Sequence, residues 1–365
     1  HSPGDVKEEL NEPLLGHVPH VAFFKGVREN KRFLLQELDR GTTQAVDGAS
    51  SASGTTGSDD TVRLSGYQRF FYQEALRNLY TSLRFLSSGR PLRSVALTSS
   101  LPAEGKTLVN VLLAKTLAEM GQRVLLVDAD MRKPQVHHRL GLNNLTGLSN
   151  LLTEPDLAWA DALQTMAGYD GWQVLTAGRR PPDPARLLSS SAMHNLVEQF
   201  ANSGQFDLVL YDTPPVLGLA DAALVAQHLD GLMLLVSLNR VDRSLPRESA
   251  ARIRSSGASL LGIVTNAIRS EESRSGAYGY GYGRYGYGGY GGYGGYGGYG
   301  GYGGYGDYQS TYAYYNNDDE TTDDGQAAST EAANKTGKRG PTGSSNGLQA
   351  NWRRLSQRAM KWLDG

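Results

Sequence analysis

Apolar residues in the first two thirds of the chain are concentrated in short, nearly unbroken runs. Six such runs occur: RSVALTSS (93–100), RVLLVDAD (123–130), WQVLTA (172–177), FDLVLYD (206–212), DGLMLLVS (230–237) and SLLGIVTN (259–266). Between the first two, KTLVNVLLAKTLAEM (106–120) has the length of a helix and is followed by Gly121. Continuous apolar strands separated by helices are typical of a parallel sheet that is buried on both faces. The pattern therefore predicts an α/β fold with a mainly parallel sheet flanked by helices.

Two further patterns precede this core. Residues 5–22 predict a short helix followed by a strand that ends at Pro19. Residues 41–60 are rich in Gly, Ser, Thr and Ala, which is typical of a flexible linker. Residues 67–86 carry apolar side chains at helical spacing and predict an amphipathic helix, with Leu76, Leu79 and Leu83 on the apolar face.

After Asn266 the strand–helix pattern stops. Residues 278–315 contain fifteen of the twenty tyrosines, and glycine is their usual neighbour. Such a segment has no apolar face to bury, and ordering a glycine-rich backbone costs much entropy, so we expect a disordered tail. Its tyrosines are either adhesive groups or phenolic hydroxyls that stay accessible. An acidic patch at 316–324 and a polar spacer follow, and residues 348–365 predict a basic amphipathic helix.

Composition narrows the class of protein. The 365 residues carry a net charge of −1, so nothing global indicates a nucleic-acid partner. The chain has no cysteine, which excludes disulfides and thiolate metal sites. No apolar run reaches the roughly eighteen residues needed to span a bilayer. Because the sequence begins with His1 rather than Met, we read it as a piece of a longer protein and expect any membrane anchor to lie outside it.

The strongest chemical motif is SLPAEGKT, residues 100–107, between the first core strand and its helix. Gly105 allows backbone amides to approach a phosphate, Lys106 can reach the β and γ oxygens, and the Thr107 hydroxyl can ligate Mg²⁺. Ser100 stands where the usual pattern has its first glycine. The alternative is a plain strand-to-helix turn, but the strand–loop–helix context favours a phosphate-binding loop. The motif therefore predicts a P-loop NTPase fold.

Acidic residues follow two other strands. Asp128 and Asp130 end the second run, Arg132 follows two residues later, and Asp212 ends the fourth run. The carboxyl ends of parallel strands are where such sheets bind ligands. One carboxylate of the first pair could take a proton from an incoming hydroxyl, and Asp212 could ligate Mg²⁺ or orient its ligands. Asn266, at the end of the last run, either reads an adenine edge or caps the strand.

Residues 5–270 resemble the cytoplasmic kinase domain of the bacterial tyrosine kinases (BY-kinases) of polysaccharide export. The resemblance rests on the tyrosine cluster and on TSSLPAEGKT, LLVDADMRKP, LVLYDTPPVL, GLSNLL and GRRPPDPARLLSS. It implies an ATP-dependent protein-tyrosine kinase that autophosphorylates its C-terminal tyrosine cluster in trans. It also implies that the kinase regulates exopolysaccharide or capsule synthesis and export.

The resemblance assigns roles to particular residues, with ATP and Mg²⁺ as cofactors. Catalysis is expected of Asp128, Asp130, Lys106 and Arg132, with Asp128 as the base. The nucleotide would be held by Pro102, Ala103, Glu104, Gly105, Lys106, Thr107, Leu108 and Asn266, and Mg²⁺ by Thr107, Asp130 and Asp212. The phosphate acceptors would be Tyr278, Tyr280, Tyr282, Tyr285, Tyr287, Tyr290, Tyr293, Tyr296, Tyr299, Tyr302, Tyr305, Tyr308, Tyr312, Tyr314 and Tyr315.

The same resemblance predicts partners. They are a ring-like homo-oligomer with an octamer as the expected size, a cognate tyrosine phosphatase, and the inner membrane, reached through a missing N-terminal portion. Glu74 and Arg77 match the family motif that closes the ring, but Tyr80 stands where that motif has its second arginine. A tyrosine cannot form a bidentate ion pair, so we expect a weaker or differently built ring.

The sequence also allows other interpretations. A partition or septum-site ATPase that switches its dimer state shares the same sheet and aspartates, although the extra early lysine of its phosphate loop is missing here. The tyrosine tail could also be a self-associating segment. The last helix could bind anionic lipid or a partner groove. The predicted segments are a juxtamembrane-like part (1–40), a linker (41–60), the kinase domain (61–270), the tyrosine cluster (271–315), a polar linker (316–347) and the basic helix (348–365).

Overall fold

A computed structural model of the chain describes residues 10–19, 34, 66–86, 89, 91–238, 241–268, 311 and 313–315. The strands are β1 (Leu14–Pro19), β2 (Ser94–Ser99), β3 (Val124–Asp128), β4 (Gln164–Thr165), β5 (Trp172–Leu175), β6 (Leu208–Asp212), β7 (Gly231–Ser237) and β8 (Leu260–Ile268). The helices are α1 (Gly66–Leu86), α2 (Lys106–Glu119), α3 (Val136–Leu140), α4 (Leu148–Thr153), α5 (Pro184–Leu188), α6 (Ser191–Asn202), α7 (Asp221–Ala226) and α8 (Ser244–Ser255), with a 3₁₀ turn at Trp159–Ala162.

The eight strands form one sheet in the order β1-β8-β7-β2-β6-β3-β5-β4. Neighbouring strands are parallel except the short pair β4–β5. Strands β2, β3, β6 and β7 are buried along their whole length. Burial on both faces explains why these strands appear in the sequence as unbroken apolar runs. The predicted α/β fold with a mainly parallel sheet is confirmed, and β4 is a short antiparallel edge strand that the pattern did not reveal.

Two hydrophobic clusters cover the faces of the sheet. The first includes Leu76, Leu79 and Leu83 of α1, all fully or nearly fully buried, together with the apolar side chains of α2. The second includes apolar residues of α6, α7 and α8. The Ser190 hydroxyl accepts a hydrogen bond from the Met193 N–H at 3.2 Å and so begins α6. Among the described helices, none combines the length and the apolarity that crossing a membrane requires.

Strand β1 belongs to the same sheet as the core strands β2–β8. It pairs in parallel with β8, and its side chains Leu15 and Val18 are buried. The predicted strand ending at Pro19 is therefore confirmed, while the helix expected before it lies outside the described residues except for Leu10. The division into segments remains a prediction, although β1, from the juxtamembrane-like part, is hydrogen-bonded within the core sheet. The linkers and the basic helix at 348–365 lie outside the described residues.

Candidate active site

Strand order brings the three chemical motifs of the sequence to one edge of the sheet. Strand β6 lies between β2 and β3, with Asp212 opposite Leu97 on one side and opposite Asp128 on the other. The strands are parallel, so the loop after β2 and the acidic residues after β3 and β6 emerge together. The phosphate loop, Asp128, Asp130 and Asp212 therefore form one site.

The phosphate loop adopts a backbone that needs glycine at Gly105. Its φ is 103°, and a Cβ there would lie 2.5 Å from Asn266 Nδ2. The same Asn266 amide donates a hydrogen bond to the Glu104 carbonyl at 2.6 Å. Asn266 therefore lies against the loop rather than merely closing its strand. Ala103 also has a positive φ, 64°, which is unfavourable for a residue with a Cβ.

Glu104 anchors this loop from inside the protein. Its side chain is buried, and its two carboxylate oxygens accept hydrogen bonds from the Leu101 N–H (2.7 Å) and the Ser237 N–H (2.9 Å). Burial raises the pKa of Glu104 to about 7, although the two backbone donors and the Lys106 charge hold it down. Glu104 was predicted to hold the nucleotide as a member of the loop motif. Its bond to the end of β7 could not be read from the sequence.

The serine at the first-glycine position is accommodated by a second serine. Ser100 is fully buried, and the Ser249 hydroxyl of α8 donates to its oxygen at 2.8 Å. A hydroxyl buried in this position requires such a partner. The departure from the usual motif therefore connects the phosphate loop to α8.

Asp212 is held by the first turn of α2. The Thr107 hydroxyl donates to Asp212 Oδ2 at 2.6 Å, and Asn110 Nδ2 donates to Oδ1 at 2.8 Å. Burial raises the pKa of Asp212, while Lys106 and the two donors lower it. Lys106 itself is nearly buried, with 8% of its surface exposed. Asn110, one turn after the motif, is a site residue that the sequence reading did not single out.

The two aspartates after β3 have different surroundings. Asp128 is fully buried and accepts hydrogen bonds from the backbone N–H groups of Asp130, Gln135 and Val136 at 3.1–3.2 Å. Burial, and then the nearby Asp212 and Asp130 carboxylates, raise the pKa of Asp128 well above its usual value. Burial also raises the pKa of Asp130, to about 6. Asp128 is thus held by the backbone, while Asp130 keeps an oxygen for an incoming group.

That oxygen of Asp130 is occupied by the end of the tyrosine segment. Tyr315, 8% exposed, donates its phenolic hydrogen bond to Asp130 Oδ2 at 2.7 Å. Burial and the adjacent Asp130 raise the pKa of Tyr315 well above its usual value. The structure thus differs from the expected disorder at 311 and 313–315, because burying this ring offsets the cost of ordering the chain. The phenol lies on Asp130 and not on Asp128, the residue predicted as the base.

Several known proteins are similar to this chain in sequence. No protein-family profile matches the chain. Over 207 residues the chain is 35% identical to the tyrosine-protein kinase YwqD of Bacillus subtilis, a match that covers 56% of this chain and 86% of YwqD. This chain belongs to the bacterial tyrosine-protein kinases. The enzyme class expected from the sequence, a protein-tyrosine kinase, is therefore confirmed.

Two further matches agree with this assignment. The tyrosine-protein kinase wzc of Salmonella typhimurium is 36% identical over 209 residues, which cover 57% of this chain but only 28% of wzc. The solved kinase domain of the Escherichia coli tyrosine kinase ETK superposes with a TM-score of 0.58 at 26% identity, covering 77% of this chain and 99% of that domain. The kinase fold is thus shared over nearly the whole solved domain.

The kinase site fits a divalent cation whose ligands come partly from the protein and partly from phosphates and waters, rather than one held by protein ligands alone. In the part of the chain that the structure describes, no three His, Cys, Asp or Glu side chains group into a complete metal site. Mg²⁺ usually takes only one or two protein ligands and completes its shell with phosphates and waters. The Thr107 hydroxyl and the Asp212 carboxylate, in direct contact, supply hard oxygen donors of the required kind.

Arg132 forms a bidentate ion pair that the sequence did not indicate. Its Nε and a terminal nitrogen lie 2.6 and 2.9 Å from the two oxygens of Asp221, a fully buried residue that begins α7. Bidentate pairs of this kind hold the guanidinium plane in a fixed orientation. The charge of Arg132, a predicted catalytic residue, is thus already paired with Asp221 beside the site.

The remaining predicted residues lie elsewhere. Pro102 and Leu108 are half-buried members of the loop and of α2. Glu74 and Arg77 form an ion pair on the partly exposed surface of α1 (2.5 Å). Tyr80, in the place of the expected arginine, donates to Gln122 Oε1 within the same chain at 2.8 Å. Of the predicted acceptors, Tyr314 and Tyr315 are described, and the other thirteen lie outside the described residues.

Proposed function

We propose that this kinase transfers the γ-phosphate of ATP to tyrosines of its own C-terminal cluster. The hydrogen bond from Tyr315 to Asp130 supports this best, because it puts a phenolic oxygen at the edge of the sheet that carries the phosphate loop. An acceptor must lie within hydrogen-bond reach of the base that takes its proton. Asp130 meets this condition and takes the role first expected of Asp128.

The other residues bind and orient in this proposal. Lys106 and the amides of the loop hold the phosphate chain and balance the charge that develops during transfer. Thr107 and Asp212 would hold Mg²⁺, which supplies charge neutralisation on the β and γ oxygens when it is bound. Asp128 stays fixed by three backbone donors and thereby holds the turn that carries Asp130. Asn266 and Glu104 keep the loop in place around the nucleotide.

The direct test is incubation of the chain with Mg-ATP followed by mass spectrometry of the 275–316 peptide. Phosphotyrosine should appear in the wild type and should be absent from Lys106→Met and strongly reduced in Asp130→Asn. ATP hydrolysis without phosphotyrosine would instead favour a partition-type ATPase. If Asp128→Asn phosphorylates its tyrosines as well as the wild type does and Asp130→Asn does not, the result would support Asp130 rather than Asp128 as the base.

Transfer between chains is the second part of the proposal. A neighbouring subunit's tail can approach Asp130 by the same surface that Tyr315 occupies here. Lys106→Met chains, which keep their tail, would be mixed with active chains whose tail tyrosines are all phenylalanine. Phosphate on the Lys106→Met tail establishes transfer in trans, and its absence limits the reaction to one chain.

We also propose a broader biological role for the kinase. It rests on the resemblance to kinases of polysaccharide export, and it comprises regulation of exopolysaccharide or capsule production at the cytoplasmic face of the inner membrane, with a phosphatase that reverses the modification. Each phosphate adds nearly two negative charges to the tail, so repeated phosphorylation should loosen a ring of subunits. Light scattering before and after ATP addition tests this, and a constant mass would contradict it.

A further inference from the structure

The last residues of the tyrosine segment contact the domain at three points. Thr311 is buried against Gly218, Tyr314 lies under Lys133, and Tyr315 reaches Asp130. Gly218 has a φ of 89°, and a Cβ on it would lie 3.2 Å from the Thr311 side chain. The domain therefore accepts a short stretch of chain ending in the acceptor, and not the acceptor ring alone.

Lys133 makes the most specific of these contacts. Its ammonium lies 3.8 Å from the centre of the Tyr314 ring and 3.2 Å from the Tyr314 carbonyl oxygen. A cation at this distance is attracted by the face of an aromatic ring. The Tyr314 ring also meets the Tyr315 ring edge to face, with centroids 5.1 Å apart. The residue before the acceptor is thus bound through its aromatic face.

The position of Lys133 relative to the reacting group is fixed by the backbone. The Lys133 N–H donates to Asp130 Oδ1 at 3.1 Å, while Tyr315 donates to the other oxygen of the same carboxylate. One turn of chain therefore carries both the carboxylate that receives the acceptor and the ammonium that binds its predecessor. A peptide that fits one contact is placed for the other.

We propose that Lys133 is a specificity-determining residue that selects acceptor tyrosines preceded by an aromatic residue, and that Tyr315 is the preferred first acceptor. This inference rests on the proposed kinase function. Among the fifteen tyrosines of residues 278–315, Tyr315 is the one that follows an aromatic residue; the others follow Gly, Ala, Arg, Asp or Thr. The repeats, with glycine before most tyrosines, offer Lys133 no ring to bind.

The test measures a ratio within one chain, which cancels changes in overall activity. The full chain is incubated with Mg-ATP, and the initial rates of phosphorylation at Tyr315 and at Tyr308 are compared by mass spectrometry. Tyr314→Phe should keep the Tyr315 preference, whereas Tyr314→Leu, which keeps bulk without a ring, should lower the ratio about fivefold. Lys133→Met should lower the ratio of the Tyr315 rate to the Tyr308 rate by the same factor. Lys133→Arg, which keeps a cation at this position, should retain the wild-type ratio. The double variant Lys133→Met, Tyr314→Leu should be no worse than either single change.

A gain of preference provides the complementary arm. Asp307→Phe puts an aromatic residue before Tyr308 without adding an acceptor, and it should raise the Tyr308 rate about fivefold in the Lys133 background but not in Lys133→Met. Arg186→Ala removes an exposed cation on α5 and serves as the matched control, with an unchanged ratio. If phosphotyrosine forms but the ratio of the Tyr315 rate to the Tyr308 rate does not change with substitutions at Lys133 or at residue 314, this inference is overturned while the proposed kinase function stands. Absence of phosphotyrosine in every variant would overturn the proposed function itself.

Discussion

Replacing Glu104 with glutamine should change how the stability of the kinase depends on pH. In the folded protein the pKa of Glu104 is raised from its ordinary value of 4.5 to about 7, mainly by burial. Between these two pH values, Glu104 is therefore still protonated in the folded state but has already lost its proton in the unfolded chain. Stability from this group is complete below about pH 4.5 and is lost as the pH rises to about 7.

The size of this effect follows from the two pKa values. At about 1.4 kcal/mol per pH unit, the interval from 4.5 to about 7 corresponds to about 3 kcal/mol of unfolding free energy. Most of it falls between pH 5 and pH 8. The glutamine variant cannot titrate at this position. The free energy of unfolding of the wild type minus that of Glu104→Gln should therefore fall by roughly 2 to 3 kcal/mol over this range, whatever constant difference the amide introduces.

The assay is urea denaturation of both proteins, without nucleotide or Mg²⁺, at half-unit steps from pH 5 to pH 8. Lys106→Met provides a second arm. Because the Lys106 charge lowers the pKa of Glu104, its removal should move the end of the transition to higher pH. A difference that stays constant from pH 5 to pH 8 would refute the reasoning. It would mean that the Leu101 and Ser237 donors already keep the carboxylate ionised.

Three other substitutions test single features of the structure. Ala103→Gly removes the strain of a left-handed alanine but increases the conformational entropy of the unfolded chain. The free energy of unfolding, measured with urea, should therefore rise by about 0.5 kcal/mol. A fall would mean that the alanine methyl group contributes to packing. Asp221→Asn removes a fully buried carboxylate from the half-exposed Arg132, and the unfolding free energy should fall by about 2 kcal/mol; an unchanged value would show that the pair is not stabilising. Tyr80→Arg should raise the mass measured by light scattering at equal concentration, whereas Tyr80→Phe, which loses only the bond to Gln122, should not; equal masses for all three proteins would remove Tyr80 from the assembly argument.

Several contacts that define the site were beyond the reach of sequence reasoning. The bond from Ser237 to Glu104 joins residues 133 positions apart, and the bond from Arg132 to Asp221 joins residues 89 apart. Each depends on the order of the strands, which no local pattern specifies. Pairing β1 with β8 likewise required knowing which edge of the sheet was free. The contact of Tyr315 with Asp130 could not be predicted because it depends on the folded surface against which residues 311 and 313–315 lie.

By itself, the sequence determined the buried core strands, the phosphate loop and the acidic strand ends, because apolar runs and the glycine–lysine–threonine motif are local signals. It also supplied a cluster of fifteen tyrosines as predicted acceptors. Tertiary structure alone decided which carboxylate contacts a tyrosine of the cluster, and which tyrosine that is. Asp128 and Asp130 are only two residues apart in the sequence, but three backbone donors surround Asp128, whereas one oxygen of Asp130 accepts the hydrogen bond of the phenol. Burial and hydrogen-bond partners, which arise only on folding, make that choice.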